Sequence, residues 1–135
     1  MATLTKVSIS KDKRKRVLRM RRNTGEPMSQ VEMQQCIQDC LDCHAVCMKT
    51  ADACRQAGGE HGTREHVYLL LDCAEMCLTA AHFMQHDSPL CGYIWEATAR
   101  VTDHTSNECA RMGDDECANA CRTASWSCDQ MTKLI

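Results

Sequence analysis

The chain has 135 residues, enough for one domain with a real core and no more. Twelve residues are cysteine and only 4% are aromatic, so the interior must be filled with Cys, Ala, Met and Thr. The formal net charge of −2 is unevenly spread: residues 1–28 hold nine Lys and Arg against Asp12 and Glu26, and residues 29–135 hold seven basic and sixteen acidic residues.

In chain order, residues 1–28 read as a disordered basic arm ending at Gly25-Glu26-Pro27. No apolar h-region follows its basic run, and Asn-Thr-Gly-Glu-Pro follows Arg21-Arg22 where a twin-arginine leader needs a hydrophobic stretch. The arm lacks aromatics and any reading element, so nucleic acid is not an expected partner. The body, residues 29–135, is expected to be all-α. Ser29 and Glu32 make a capping box for a first helix over about 29–57, stopped by Gly58-Gly59. Thr63 caps a second helix with His66, Leu70, Cys73, Cys77, Ala80 and Met84 on its inner face. Ser88 and Pro89 open a third, as N-cap and first helical residue, with Cys91, Trp95, Thr98, Thr102, Thr105 and Cys109 inward. Gly113 and Asp114 separate it from a fourth, which presents Cys117, Cys121, Ala124, Cys128 and Met131. Short loops then give an antiparallel up-down-up-down four-helix bundle. No stretch approaches the ~20 apolar residues of a membrane span. The expected location is cytoplasmic, where thiols stay reduced.

Cysteine spacing carries the functional signal. Cys36, Cys40, Cys43, Cys47 and Cys54 fall, at about 100° per residue, inside a stripe roughly 60° wide on one helix face. Cys73 and Cys77, and then Cys117, Cys121 and Cys128, repeat the same steps. Buried cysteine can pack as a small hydrophobe, but twelve on the inward faces of four helices are more than packing asks for. Disulfides are a second alternative, as in a structural helical bundle. Within a helix, however, Cβ atoms at i and i+4 lie about 5–6 Å apart, against the 3.5–4.5 Å (roughly) that a bridge requires. The same spacing suits two thiolates gripping a soft ion. Iron–sulfur runs sit in loops and differ in spacing. Zinc asks for four ligands in a tetrahedron. Cu(I) needs two or three and tolerates a continuous row, so multiple Cu(I) is the expected cargo, with zinc or mixed metal as the alternative. Cys40-x-x-Cys43 also fits a redox pair, but its βαβ context is absent.

The run Cys36-x3-Cys40-x2-Cys43-x3-Cys47, the pair Cys73-x3-Cys77, and Glu108-Cys109 followed by Glu116-Cys117-x3-Cys121 resemble the bacterial copper storage proteins over about residues 30–130. The resemblance implies a thiolate-lined bundle holding many Cu(I) ions, mostly by two sulfurs each. It also implies a non-enzymatic role in copper storage, homeostasis or detoxification, and assembly as a homo-oligomer, commonly a tetramer. Release would go to a copper chaperone or a low-molecular-weight thiol. Trp95, Thr98, Thr102 and Thr105 take inward places where a fully lined bundle would carry cysteine, so the row is expected to break along the third helix.

Topology gathers Cys54, His61, His66, Cys109, Met112 and Cys117 at one pole. His61, His66 and Met112 are candidates for a metal entrance there. His44 borders the stripe, whereas His82, His86 and His104 lie off it. Met33, Met84 and Met131 meet at the other pole as an apolar plug. A core this poor in large side chains is expected to be modestly stable without metal and much more so with it.

Overall fold

Helix-favouring sequence, punctuated by glycine and by capping residues, resolves into four helices: α1 (Met28–Ala57), α2 (Arg64–Gln85), α3 (Cys91–Met112) and α4 (Asp115–Thr132). The computed structural model describes residues 28–134, so the basic arm over 1–27 lies outside the described residues. The longest helix, α1, has 30 residues and a length of about 45 Å. Each helix packs on two neighbours, in the order α1, α2, α3, α4 and back to α1. This is the expected four-helix bundle.

The ends of the helices show why. At the start of α2, Thr63 accepts a hydrogen bond from the His66 N–H at 3.3 Å, the predicted cap. At the end of α3, Gly113 adopts φ 82°, and Asp114 N–H reaches the Cys109 carbonyl at 2.8 Å, a Schellman closure that only a left-handed residue allows. The loop over 58–63 turns so tightly that a Cβ on Gly62 would meet the Gly58 Cα at 2.7 Å and the Cys54 carbonyl of α1 at 3.1 Å. That close approach sets His61 over the end of the bundle.

Two boundaries differ from expectation. First, α1 already includes Ser29, since it begins at Met28. Second, α3 begins at Cys91, not at Pro89. The cause lies in how α2 ends. Asp87 takes φ 53°, and Ser88 N–H bonds the Phe83 carbonyl at 3.0 Å, a second Schellman closure. Ser88 is thereby committed to finishing α2. Its hydroxyl still accepts from Leu90 N–H at 3.1 Å, so Ser88–Leu90 forms a turn ahead of the helix.

The predicted inner faces are the buried ones. His66, Leu70, Cys73, Cys77, Ala80 and Met84 line α2; Cys91, Trp95, Thr98, Thr102, Thr105 and Cys109 line α3, where Ser106 joins them. On α4 the buried set is Cys117, Ala118, Cys121, Ala124, Ser127, Cys128 and Met131. By length and mean hydropathy (1.3), α2 is apolar enough to cross a membrane, contrary to the sequence expectation. Its Cys, Ala, Met and Leu raise the hydropathy, and those on its inner face are spent on the bundle core.

Candidate metal centre

Ten of the twelve thiols form one contiguous row built by α1, α2 and α4, with one contribution from α3. At the distal end, Cys36 and Cys40 of α1 each approach Cys128 of α4 to 3.7 Å between sulfurs. Cys77 of α2 lies beside Cys40 and Cys43. In the middle, Cys43, Cys47, Cys73 and Cys121 bring their sulfurs within 4.8 Å of one another. Cys121 is the hub: it stands 3.6 Å from Cys43, 3.7 Å from Cys47 and 3.8 Å from Cys73. Above it, Cys117 lies 3.7 Å from Cys47 and 4.0 Å from Cys121, with Cys109 of α3 at its side. None is in a disulfide; all twelve are buried free thiols.

Row geometry suits a soft ion. With bonds of about 2.3 Å, a tetrahedral metal holds its sulfurs about 3.8 Å apart, close to the spacing here. A two-coordinate ion between a pair would ask the sulfurs to part by less than about 1 Å. The row is also interleaved electrostatically. Cys40, Cys73 and Cys117 are held well below the ordinary thiol value, chiefly by hydrogen bonding with Cys128, Cys121 and Cys109 respectively. Their neighbours move the other way. Cys121 and Cys109 are raised chiefly by hydrogen bonding with Cys117, Cys128 by its bond with Cys36, and Cys77 by its bond with Cys40. One sulfur at each level is thus favoured over its neighbours as the thiolate, and metal ligation would displace the protons of the rest.

The pole where α1 ends and α4 begins carries a different set of groups. An open pocket of about 400 Å³ there is lined by Lys49, Thr50, Cys54, His61, Asp114 and Cys117, among others. His66 is buried beneath it, with Nε2 3.4 Å from Asp114 Oδ2 and Nδ1 3.8 Å from Glu108 Oε2. Cys54 Sγ lies 3.8 Å from the same Asp114 oxygen. His61 donates from Nε2 to the Met112 carbonyl at 3.1 Å and stands edge-on to His66, ring centroids 6.1 Å apart. The Met112 thioether faces the Arg111 guanidinium at 3.4 Å. The predicted pole thus assembles, and Met112 takes part in it through its backbone carbonyl.

Other predicted residues lie apart. Cys91 is at the opposite pole, on the rim of a pocket of about 580 Å³ that Met33, Trp95 and Met131 also line; Met84 is buried as expected. Burial and the nearby Asp87 raise the Cys91 thiol. His44 bridges α1 to α2 through the Ala74 carbonyl at 2.8 Å. His82, His86 and His104 are exposed, as expected. Thr102 and Thr105 turn their hydroxyls back onto α3, to the Thr98 and Val101 carbonyls at 2.7 and 2.8 Å, and show the row no ligand. Sequence reasoning missed Asp114 as a site residue. It occupies the N-cap position of α4, as predicted, yet makes no side-chain cap bond. Its carboxylate is turned to His66 and Cys54 instead. The usable signal was its place next to Gly113, at the pole where His61 and His66 were already expected.

Comparison with known proteins agrees with this geometry. A cysteine-rich protein of Bacillus subtilis (strain 168), YhjQ, is 30% identical over 102 residues, which is 76% of this chain and 94% of the relative. A crystal structure of a protein from Nitrosospira multiformis superposes with a TM-score of 0.75 at 30% identity, covering 78% of this chain and 99% of that one. The sequence profile described as copper storage protein matches residues 29–133, so the chain belongs to the copper storage protein family.

Proposed function

We propose that this protein binds and stores several Cu(I) ions along its thiol row, as a cytoplasmic copper buffer that assembles as a homo-oligomer. The observation that carries the reading is continuity: eight sulfurs of α1, α2 and α4 each stand 3.6–4.0 Å from another, Cys77 joins their two groups by interacting with Cys40 and Cys43, and Cys109 of α3 adjoins Cys117 at one end. Two-coordinate ions can share sulfurs along such a row, giving roughly six to twelve ions per chain. Cysteines 36, 40, 43, 47, 73, 77, 109, 121 and 128 are each 0% exposed, so bound ion is shielded from oxygen and from any substrate that would make this an enzyme. Release then requires a competing thiol or a copper chaperone at the open pole. The reduced cytosol keeps the thiols available.

Zinc has one observation in its favour. Cys43, Cys47, Cys73 and Cys121 form a compact tetrad of the kind a structural zinc site uses. Yet each tetrahedral ion consumes four thiols, and Cys121 and Cys47 are both engaged with Cys117 as well. A zinc reading therefore predicts saturation near two or three ions. Anaerobic titration of the fully reduced chain with Cu(I), followed by competition with a cuprous chelator, decides between them. Tight binding well past four equivalents is expected. Saturation at two or three, with zinc bound equally well, would overturn storage.

A further inference from the structure

His66 is 4% exposed, yet neither ring nitrogen makes a hydrogen bond. Burying an imidazole in that condition is unfavourable unless something else satisfies it. The nearest groups stand at distances poor for hydrogen bonding and apt for shared coordination. Cys54 Sγ, a ring nitrogen of His66 and a carboxylate oxygen of Asp114 all lie within 4.8 Å of one another. An ion with bonds of about 2.0–2.3 Å holds tetrahedral donors about 3.3–3.8 Å apart, so a small inward adjustment would close the three around one centre. Asp114 is available because its carboxylate does not cap α4. Glu108, facing the other nitrogen of His66, is placed to orient the ring.

The donor set also differs from that of the row. Sulfur alone selects soft Cu(I); one sulfur, one imidazole and one carboxylate match a borderline divalent ion, zinc above all. We propose that Cys54, His66 and Asp114 form a separate site for one divalent ion of the zinc class at the mouth of the bundle. Its fourth position faces the open pocket, on the side where His61 stands. The Cys117 thiol shares that pocket and acts electrostatically on Cys54, so an ion held there lies across the way into the row. The site stands whichever ion the row takes, and so goes beyond the storage reading.

The test uses the full chain with its row filled by Cu(I), excess copper removed by a chelator, then titrated with Co(II) as a visible stand-in for zinc. About one equivalent is expected, with the absorption of a tetrahedral site carrying one thiolate. His66→Gln and Asp114→Asn should each weaken it more than about tenfold, and leave copper capacity unchanged. Circular dichroism checks that both variants fold, and Cys77→Ser, in the row, serves as the control that keeps the cobalt site. Absence of cobalt binding, or binding equal in His66→Gln and Asp114→Asn, overturns the proposal. A low copper capacity alongside an intact cobalt site would sink the storage reading alone.

Discussion

Three helices of the bundle and the fourth bury inner faces equally well and do opposite things with them. Along α1, Cys36, Cys40, Cys43 and Cys47 are 0% exposed, and so are Thr98, Thr102 and Thr105 of α3. The thiols meet sulfur from α2 and α4, whereas Thr102 and Thr105 bond carbonyls of their own helix. Burial alone therefore does not make a ligand. A side chain serves the metal only where its polar atom is not already engaged by the backbone and where a second donor stands across the interface. By that measure α3, apart from Cys109 at one end, is a wall, closing a channel whose other three sides carry most of the sulfur.

Removing a ligand from the sulfur side should have the largest effect. Cys121 touches four other thiols, Cys43, Cys47, Cys73 and Cys117. Cys121→Ser is expected to lower Cu(I) capacity by about two or three equivalents, since soft ions discriminate strongly against hydroxyl. Cys91→Ser, on α3 and outside the row, should lose no more than about one. Chelator competition on both variants measures the difference. Equal losses would mean that the row is not the store and that α3 contributes as much as its neighbours.

The contrast between sides was legible before any coordinates. A 100° periodicity places cysteine on α1 and threonine on α3 at equal depth, and it needs nothing but sequence. Thr63 and Gly113 mark helix ends for equally local reasons. What the sequence hid depends on competition between neighbours. Ser88 and Pro89 carry every mark of a helix start, yet Ser88 is claimed by the closure of α2 once Asp87 turns left-handed. Asp114 reads as a cap because a capping and a ligating carboxylate are the same residue in the same place. Only the arrival of His66 and Cys54 from two other helices tells them apart. Cys91 likewise shares the periodicity of its face but not the depth of the row.

A further effect, common to both faces, follows pH. Nine thiols are raised above the ordinary value of 9.0, Cys54 and Cys91 mainly by burial. A raised thiol stabilises the fold fully below pH 9.0, and that contribution is lost as pH climbs through the folded value. Cys40, Cys73 and Cys117 have the opposite sign: their contribution is full above pH 9.0 and is lost progressively as pH falls from there toward their depressed values. The metal-free bundle should thus weaken above about pH 9, by about 1.4 kcal/mol, roughly 5 °C in Tm, per pH unit for each raised thiol. Thermal unfolding from pH 7 upward, with and without Cu(I), reads it. The loaded protein should stay flat, because its thiols have already surrendered their protons to the ion. A metal-free Tm unchanged across that range would mean the raised thiols do not govern stability.

The finest test converts the wall into a fourth sulfur face. Thr102 is fully buried, and its hydroxyl is satisfied at 2.7 Å by the Thr98 carbonyl one turn back, a bond that tends to bend a helix. Thr102→Cys keeps nearly the same volume, gives up that bond at about 1 kcal/mol, and sets a thiol at mid-depth on α3. Thr102→Val gives up the same bond and adds no sulfur, so the pair isolates the thiol from the change in packing. If depth places Thr102 against the row, the cysteine variant should take up about one more Cu(I) than the wild type and the valine variant no more. A gain in neither would show that α3 stands back from the channel as well as lacking its chemistry. The row would then be three-sided by geometry, and no single substitution on that helix could extend it.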